Sequence, residues 1–142
     1  MKKLTSLLIL CLALSFASVA KAQSYGPDFA KFTLTPQEGW TAQAIDSGVQ
    51  LSNGQTVATI QVVKSEGNAP EALTKGVVQV LKIADAKFST DEDSCTAEGT
   101  LNGKPIFLII TELDKEKALS VAIIGTDRMP VSKMIETIKD VE

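Results

Sequence analysis

The chain of 142 residues contains no histidine. This removes the side chain best suited to proton transfer near neutral pH and the commonest zinc ligand. Aromatic residues are scarce, with five Phe, one Trp and one Tyr. No G-x-S-x-G, S-x-x-K or G-x-x-x-x-G-K pattern follows residue 22, so a serine-nucleophile elbow, a β-lactamase-type site and a phosphate loop are excluded. Beyond residue 22 no apolar run approaches spanning length, since Ile106 to Ile110 is the longest and has the length of a strand.

The N-terminus has the three parts of a secretory signal: Lys2 and Lys3, an apolar run from Leu4 to about Val19, and the small-residue site Ala20-Lys21-Ala22. The expected cut lies between Ala22 and Gln23. A run of about 16 residues is short for a membrane anchor, which needs roughly 20. Cys11 follows Leu10, whereas lipid attachment wants a small residue at that position. The expected organisation is a signal peptide over 1–22, a lead-in over 23–31 punctuated by Ser24, Gly26 and Pro27, and one domain over 32–142. Tyr25 and Phe29 are the apolar anchors of the lead-in.

Removing Lys2, Lys3 and Lys21 takes the 14 basic residues to 11 against 17 acidic ones, and the net charge from −3 to −6. An acidic chain with dispersed lysines has no electrostatic footprint for nucleic acid or anionic lipid, so no nucleic-acid partner is expected. The expected mature domain does not span a membrane. Cys11 leaves with the signal, and Cys95 remains as a single thiol that cannot form an internal disulfide. By alternation it shares a face with Ala97 and Leu101, opposite Thr96 and Glu98, which predicts a buried thiol.

The first part of the domain reads as strands over Phe32-Thr33-Leu34, Trp40 to Ile45 and Val49 to Ser52. Asn53-Gly54 sits where a two-residue hairpin turn belongs, and Thr56 to Val63 forms the following arm. Helical spacing then takes over from Pro70, with Leu73, Val77, Val80, Leu81 and Ala84 on one stripe, although Gly76 weakens the helix. After the acidic stretch Asp91-Glu92-Asp93, strands resume over Ser94 to Leu101 and Lys104 to Thr111, joined by the hairpin signal Asn102-Gly103. The arm Ile106 to Ile110 is apolar on both faces, as in a central strand covered on both sides. Ala118 to Ile124 gives another strand, and Pro130 opens a helix with Val131, Met134, Ile135, Ile138 and Val141 on its stripe. The fold class expected is α+β: an antiparallel sheet of about six to seven strands flanked by two main helices, in the order β-β-β-β-α-β-β-β-α.

The segment Phe32-x-Leu34-x-Pro36-x-x-Gly39-Trp40 resembles the opening of PsbP-like domains, where a strand leads through a proline-glycine turn into a tryptophan. The resemblance extends from Phe32 to about Val141 and is to the PsbP/Mog-type fold, with exported bacterial members similar to DcrB-like proteins. It implies an antiparallel sheet with helices on its faces and a binding role. No catalytic, cofactor-binding or metal-binding residues carry over, and no cofactor is expected. Asp91, Glu92, Asp93 and Glu98 lack the spacing of a calcium loop and read as solvated surface. Trp40, at a strand start in an aromatic-poor chain, reads as core.

Together with the signal pattern, the resemblance implies a periplasmic or secreted, non-enzymatic binding or accessory protein of the cell envelope, whose expected partner is an envelope protein or membrane complex. The alternative is a carboxylate- or metal-dependent hydrolase. That chemistry requires a pair of Asp or Glu side chains of which one is desolvated.

Overall fold

The computed structural model describes residues 23–140. The expected signal peptide of residues 1–22 therefore lies outside the described residues, as does Val141. The elements are β1 (Gln23–Tyr25), β2 (Phe32–Leu34), β3 (Thr41–Ile45), β4 (Gly48–Ser52), β5 (Val57–Lys64), α1 (Pro70–Leu81), β6 (Ala84–Thr90), β7 (Ser94–Leu101), β8 (Lys104–Glu112), β9 (Lys117–Ile124), α2 (Arg128–Ile135) and β10 (Lys139–Asp140). Seven strands form one sheet in the order β3-β4-β5-β9-β8-β7-β6, and β1-β2-β10 form a second, with every pair antiparallel. The class is α+β, as the alternation and helical spacing predict, and the expected element order is recovered with three further strands.

Register assigns the side chains to two faces. Val49 pairs with Ile60, which pairs with Val121, which pairs with Ile109, so all four point to one side, here called the front. Over β4, β5 and β9 this front face is covered by the small sheet and α2. Tyr25, Phe32, Leu34, Val131 and Met134 join Leu51, Ala58, Ile60 and Val62 in one buried cluster. On the back face α1 packs across β7 and β8, over Cys95, Ala97, Ile106, Leu108 and Ile110. The two halves of the sheet are thus covered on opposite sides. β8 lies in the sheet interior, as expected of its apolar run. Its back face is buried, while Phe107 and Ile109 on the front are only half-buried.

Several expectations need correction. The lead-in of 23–31 contains a strand: β1 pairs with β2, and Tyr25 is buried with its ring 6.1 Å from that of Phe32. A three-residue strand is too short to show a period, which is why only its punctuation is visible in the sequence. β6 has no counterpart among the expected strands. It is an outer strand exposed along almost its whole length, with a bulge between Ala84 and Lys87 and Asp85 at φ 51°.

The α1 stripe is also different from the one expected. Lys82 adopts the left-handed conformation and ends the helix, so Ala84 belongs to β6. Val80 is 80% exposed. The face laid on the sheet runs through Pro70, Leu73, Thr74, Val77 and Val78, with the Thr74 hydroxyl donating to the Pro70 carbonyl at 2.7 Å. In α2 the helix starts at Arg128, with Pro130 inside its first turn, and stops at Ile135. Ile138 lies past the helix, half-buried against the core, and the chain then enters β10.

The two Asn-Gly pairs make different turns. Asn102 at φ 53° and Gly103 at φ 82° form the expected two-residue connection between the paired residues Leu101 and Lys104. Asn53-Gly54 instead begins a four-residue loop, because the flanking pair is Ser52 with Val57. The Asn53 carboxamide oxygen accepts the N–H groups of Gln55 (2.9 Å) and Thr56 (2.8 Å). Its Nδ2 donates to Asp127 Oδ2 at 2.9 Å, and the Thr56 hydroxyl donates to the same oxygen at 3.2 Å. The loop geometry is therefore fixed by a contact with the start of α2, 74 residues away in sequence.

Candidate functional site

A cleft of about 410 Å³ opens on the front face where the small sheet meets the end of the large one. That volume falls in the range of roughly 300–1,000 Å³ typical of ligand pockets. Its apolar lining comes from Phe32, Val62, Leu119 and Ile138, with Phe29 and Leu113 at the mouth. Val62 and Leu119 are direct cross-strand partners between β5 and β9, so the regular sheet supplies the floor.

The loop from Gly26 to Lys31 forms one lip. Gly26 at φ 103° lets the chain reverse close to the Phe32 ring, Ala30 N–H donates to the Pro27 carbonyl at 3.0 Å, and the Lys31 ammonium donates to the Gly26 carbonyl at 2.8 Å. The loop closes in this way without drawing its aromatic side chain inward. Phe29 is 45% exposed, with the Lys64 ammonium 5.2 Å from its ring centroid. The opposite lip is the turn between β8 and β9. Asp114 there accepts the N–H groups of Glu116 (2.8 Å) and Lys117 (3.0 Å) and pairs with the Lys117 ammonium at 3.2 Å. The Glu116 N–H above all, and then Lys117, hold the Asp114 carboxyl below its ordinary range. Leu113, raised by this turn, is 47% exposed. Beside the cleft residue Phe32, whose ring is 6.1 Å away, burial pushes the Tyr25 phenol above its ordinary range.

Charges of both signs fringe the lining: Lys31 and Lys117 against Asp28 and Asp140. Asp28 is fully solvated, 3.9 Å from the Lys31 ammonium; Asp140 is likewise exposed. A carboxylate pair acts as acid and base only when one member is desolvated, a condition these two do not meet. The cleft is suited to holding an apolar group between two flanking charge pairs.

The residues singled out in the sequence lie elsewhere. Asp91, Glu92 and Asp93 are exposed in the turn between β6 and β7, while Glu98 is on the front of β7 with its carboxylate 3.4 Å from Arg128. They are not brought together, and among the described residues no three His, Cys, Asp or Glu side chains are grouped to hold a metal ion. Cys95 is fully buried under α1, as its alternation predicts. Trp40 is half-buried and packs against the front core. No helix among the described residues is long and apolar enough to cross a membrane.

The lead-in pattern makes Phe29 an anchor, whereas no pattern in the sequence marks Leu113. The available signal was a large apolar side chain isolated among turn-forming or acidic neighbours, Pro27-Asp28 in one case and Glu112 and Asp114 in the other.

No family model matches the chain, and no curated protein matches it. Among solved structures the chain is similar to the solution structure of cyanobacterial PsbP (CyanoP) from Synechocystis sp. PCC 6803, with 10% sequence identity and a TM-score of 0.48 over 87% of this chain and 94% of that one. At that degree of likeness neither partner nor role transfers.

Proposed function

We propose that this protein is an exported, non-enzymatic binding or accessory protein of the cell envelope, periplasmic or secreted, that docks on an envelope protein or membrane complex through the cleft between the Gly26–Lys31 loop and the β8–β9 turn. The observation that carries this reading is the pair of large apolar side chains, Phe29 and Leu113, standing about half-exposed at the mouth of an apolar cleft. Apolar side chains left in water carry an unfavourable hydration free energy that a covering partner relieves, and an aromatic side chain such as Phe29 offers a large area to bury at an interface. The compartment follows from the signal pattern of residues 1–22, which predicts a mature chain starting at or near Gln23. An intact mass from the native host that retains Met1 to Lys21 would remove that part of the proposal.

The binding role is tested by replacing both lip residues, Phe29→Asp with Leu113→Asp, and recovering the protein from native envelope fractions alongside the wild type. Both side chains lie outside the buried core, so the fold and its far-UV spectrum should be unchanged. A stoichiometric partner should accompany the wild type and be lost from the double variant. A partner retained by the variant refutes the cleft as the docking site. Bound metal in the wild type, together with hydrolysis that disappears on changing one carboxylate, refutes the non-enzymatic role.

A further inference from the structure

The two outer strands of the seven-stranded sheet are built differently. β6 carries Asp85 and Lys87, and a bulge interrupts its register, all of which discourage another strand from pairing with it. β3, Thr41-Ala42-Gln43-Ala44-Ile45, has no charge, no proline and no register shift, and its neighbour β4 is likewise uncharged. Among the described residues no other strand covers its outer side.

The β3–β4 connection identifies which main-chain groups are free. Ile45 pairs with Gly48 across the two residues Asp46-Ser47, and the closing pair of such a hairpin is hydrogen-bonded. Ile45, Gln43 and Thr41 therefore direct their N–H and C=O groups toward β4. Ala42 and Ala44 direct theirs outward.

We propose that β3 pairs antiparallel with β3 of a second copy of this chain, about a twofold axis passing beside Gln43, to form one continuous sheet. In that register Ala42 faces Ala44 of the partner copy and Ala44 faces Ala42. Each free N–H then meets a free C=O, and four hydrogen bonds form without a slip. Gln43 faces its own equivalent. Because Gln43 also pairs with Gln50 on β4, the side-chain row across the junction is four carboxamides, each able to donate and to accept. The expected mature chain carries a net charge of −6. Copies that repel at long range can approach along an uncharged strand, where no carboxylate faces its own image. A five-residue strand pair buries less than the roughly 1,200 Å² of a stable interface, so the dimer is reversible and depends on concentration. It carries no ion pair, so added salt, by screening the net repulsion, strengthens it.

Sedimentation equilibrium on the protein recovered from cells expressing the full chain tests this. The weight-average mass should rise from one toward two monomer masses with concentration. Ala44→Pro removes an outward N–H, a position where proline is tolerated on an edge strand, and so removes two of the four hydrogen bonds across the axis. Association should weaken about thirtyfold. Gln43→Lys and Gln43→Glu each place like charges opposite one another and should be monomeric alone, while an equimolar mixture should dimerise. That rescue separates a broken interface from a damaged fold. A wild type monomeric at about 1 mM overturns the proposal and leaves β3 free for a strand of another protein. A dimer that persists in all three variants also overturns it, because the contact then lies elsewhere.

Discussion

The two halves of the large sheet are covered by different means. Over β7 and β8 the cover is α1, which lies close to them in sequence and is followed directly by β6 and the β7–β8 hairpin. Over β4, β5 and β9 the cover is assembled from both ends of the described chain. β1 and β2 come from one end and α2 and β10 from the other, joined by the pairing of Thr33 with Lys139 and by the Thr35 N–H donating to the Thr137 hydroxyl at 2.9 Å. One half closes by local contacts and the other by contacts about a hundred residues apart. Closing a longer loop costs more chain entropy, so the non-local half has to gain more from its burial.

The largest expected effect comes from emptying the non-local cover. Phe32 is 3% exposed and belongs to both the small sheet and the front core. Phe32→Ala should lower stability by ~3–5 kcal/mol, seen as a fall in the urea midpoint at constant slope. Leu108→Ala, in the local half under α1, should cost ~2–5 kcal/mol. Cys95 provides a second measurement because it is buried in the local half. If β8 and β9 make the sheet one cooperative unit, thiol labelling of Cys95 should accelerate in Phe32→Ala by the same factor as the unfolding equilibrium. Unchanged labelling would mean that the halves open separately.

The same division explains how far the fold could be read from sequence. The local half was legible because its signals are local: Pro70 opening a helix, alternation placing Cys95 and Ala97 on one face, and Asn102-Gly103 fixing a turn from two residues. Its one omission, β6, does alternate through Ala84, Ala86 and Phe88. As an exposed edge, however, it lacks the buried partners that make such a pattern persuasive. In the non-local half, three residues of β1 and two of β10 carry no period, and their structure depends on β2 between them. The candidate cleft suffers from the same limit, since Phe32 and Ile138 meet there only once the ends have closed. The absence of histidine and of nucleophile motifs was legible, but the place where apolar groups stay exposed was not.

The two Asn-Gly loops divide along the same line, and intermediate effects are expected there. Asn53→Ala removes two intraloop acceptor bonds and one of the contacts that hold Asp127, for a loss of ~1–3 kcal/mol. Asn102→Ala places an alanine at φ 53° in an exposed turn and should cost ~1 kcal/mol. Chemical denaturation of both variants would distinguish a loop held by tertiary contact from one held by its own backbone. An Asn53→Ala loss that is the same in an Asp127→Ala background would mean that the Asp127 contact adds nothing.

The smallest effect is expected at Val80, where the helical stripe read from the sequence and the observed one disagree. If α1 had continued to Ala84, Val80 would pack on β7 and its replacement by serine would cost more than ~1 kcal/mol. Lys82 instead turns the chain out of the helix, and Val80 is 80% exposed on the solvent side. Exposed substitutions away from special contacts usually fall within about ±0.5 kcal/mol, and serine has only a slightly different helix propensity from valine. Val80→Ser should therefore leave the urea midpoint unchanged. A loss comparable to that of Leu108→Ala would show that the helix covers more of the sheet than Pro70, Leu73, Thr74, Val77 and Val78 do. The local half would then owe its stability to a longer contact than its geometry indicates.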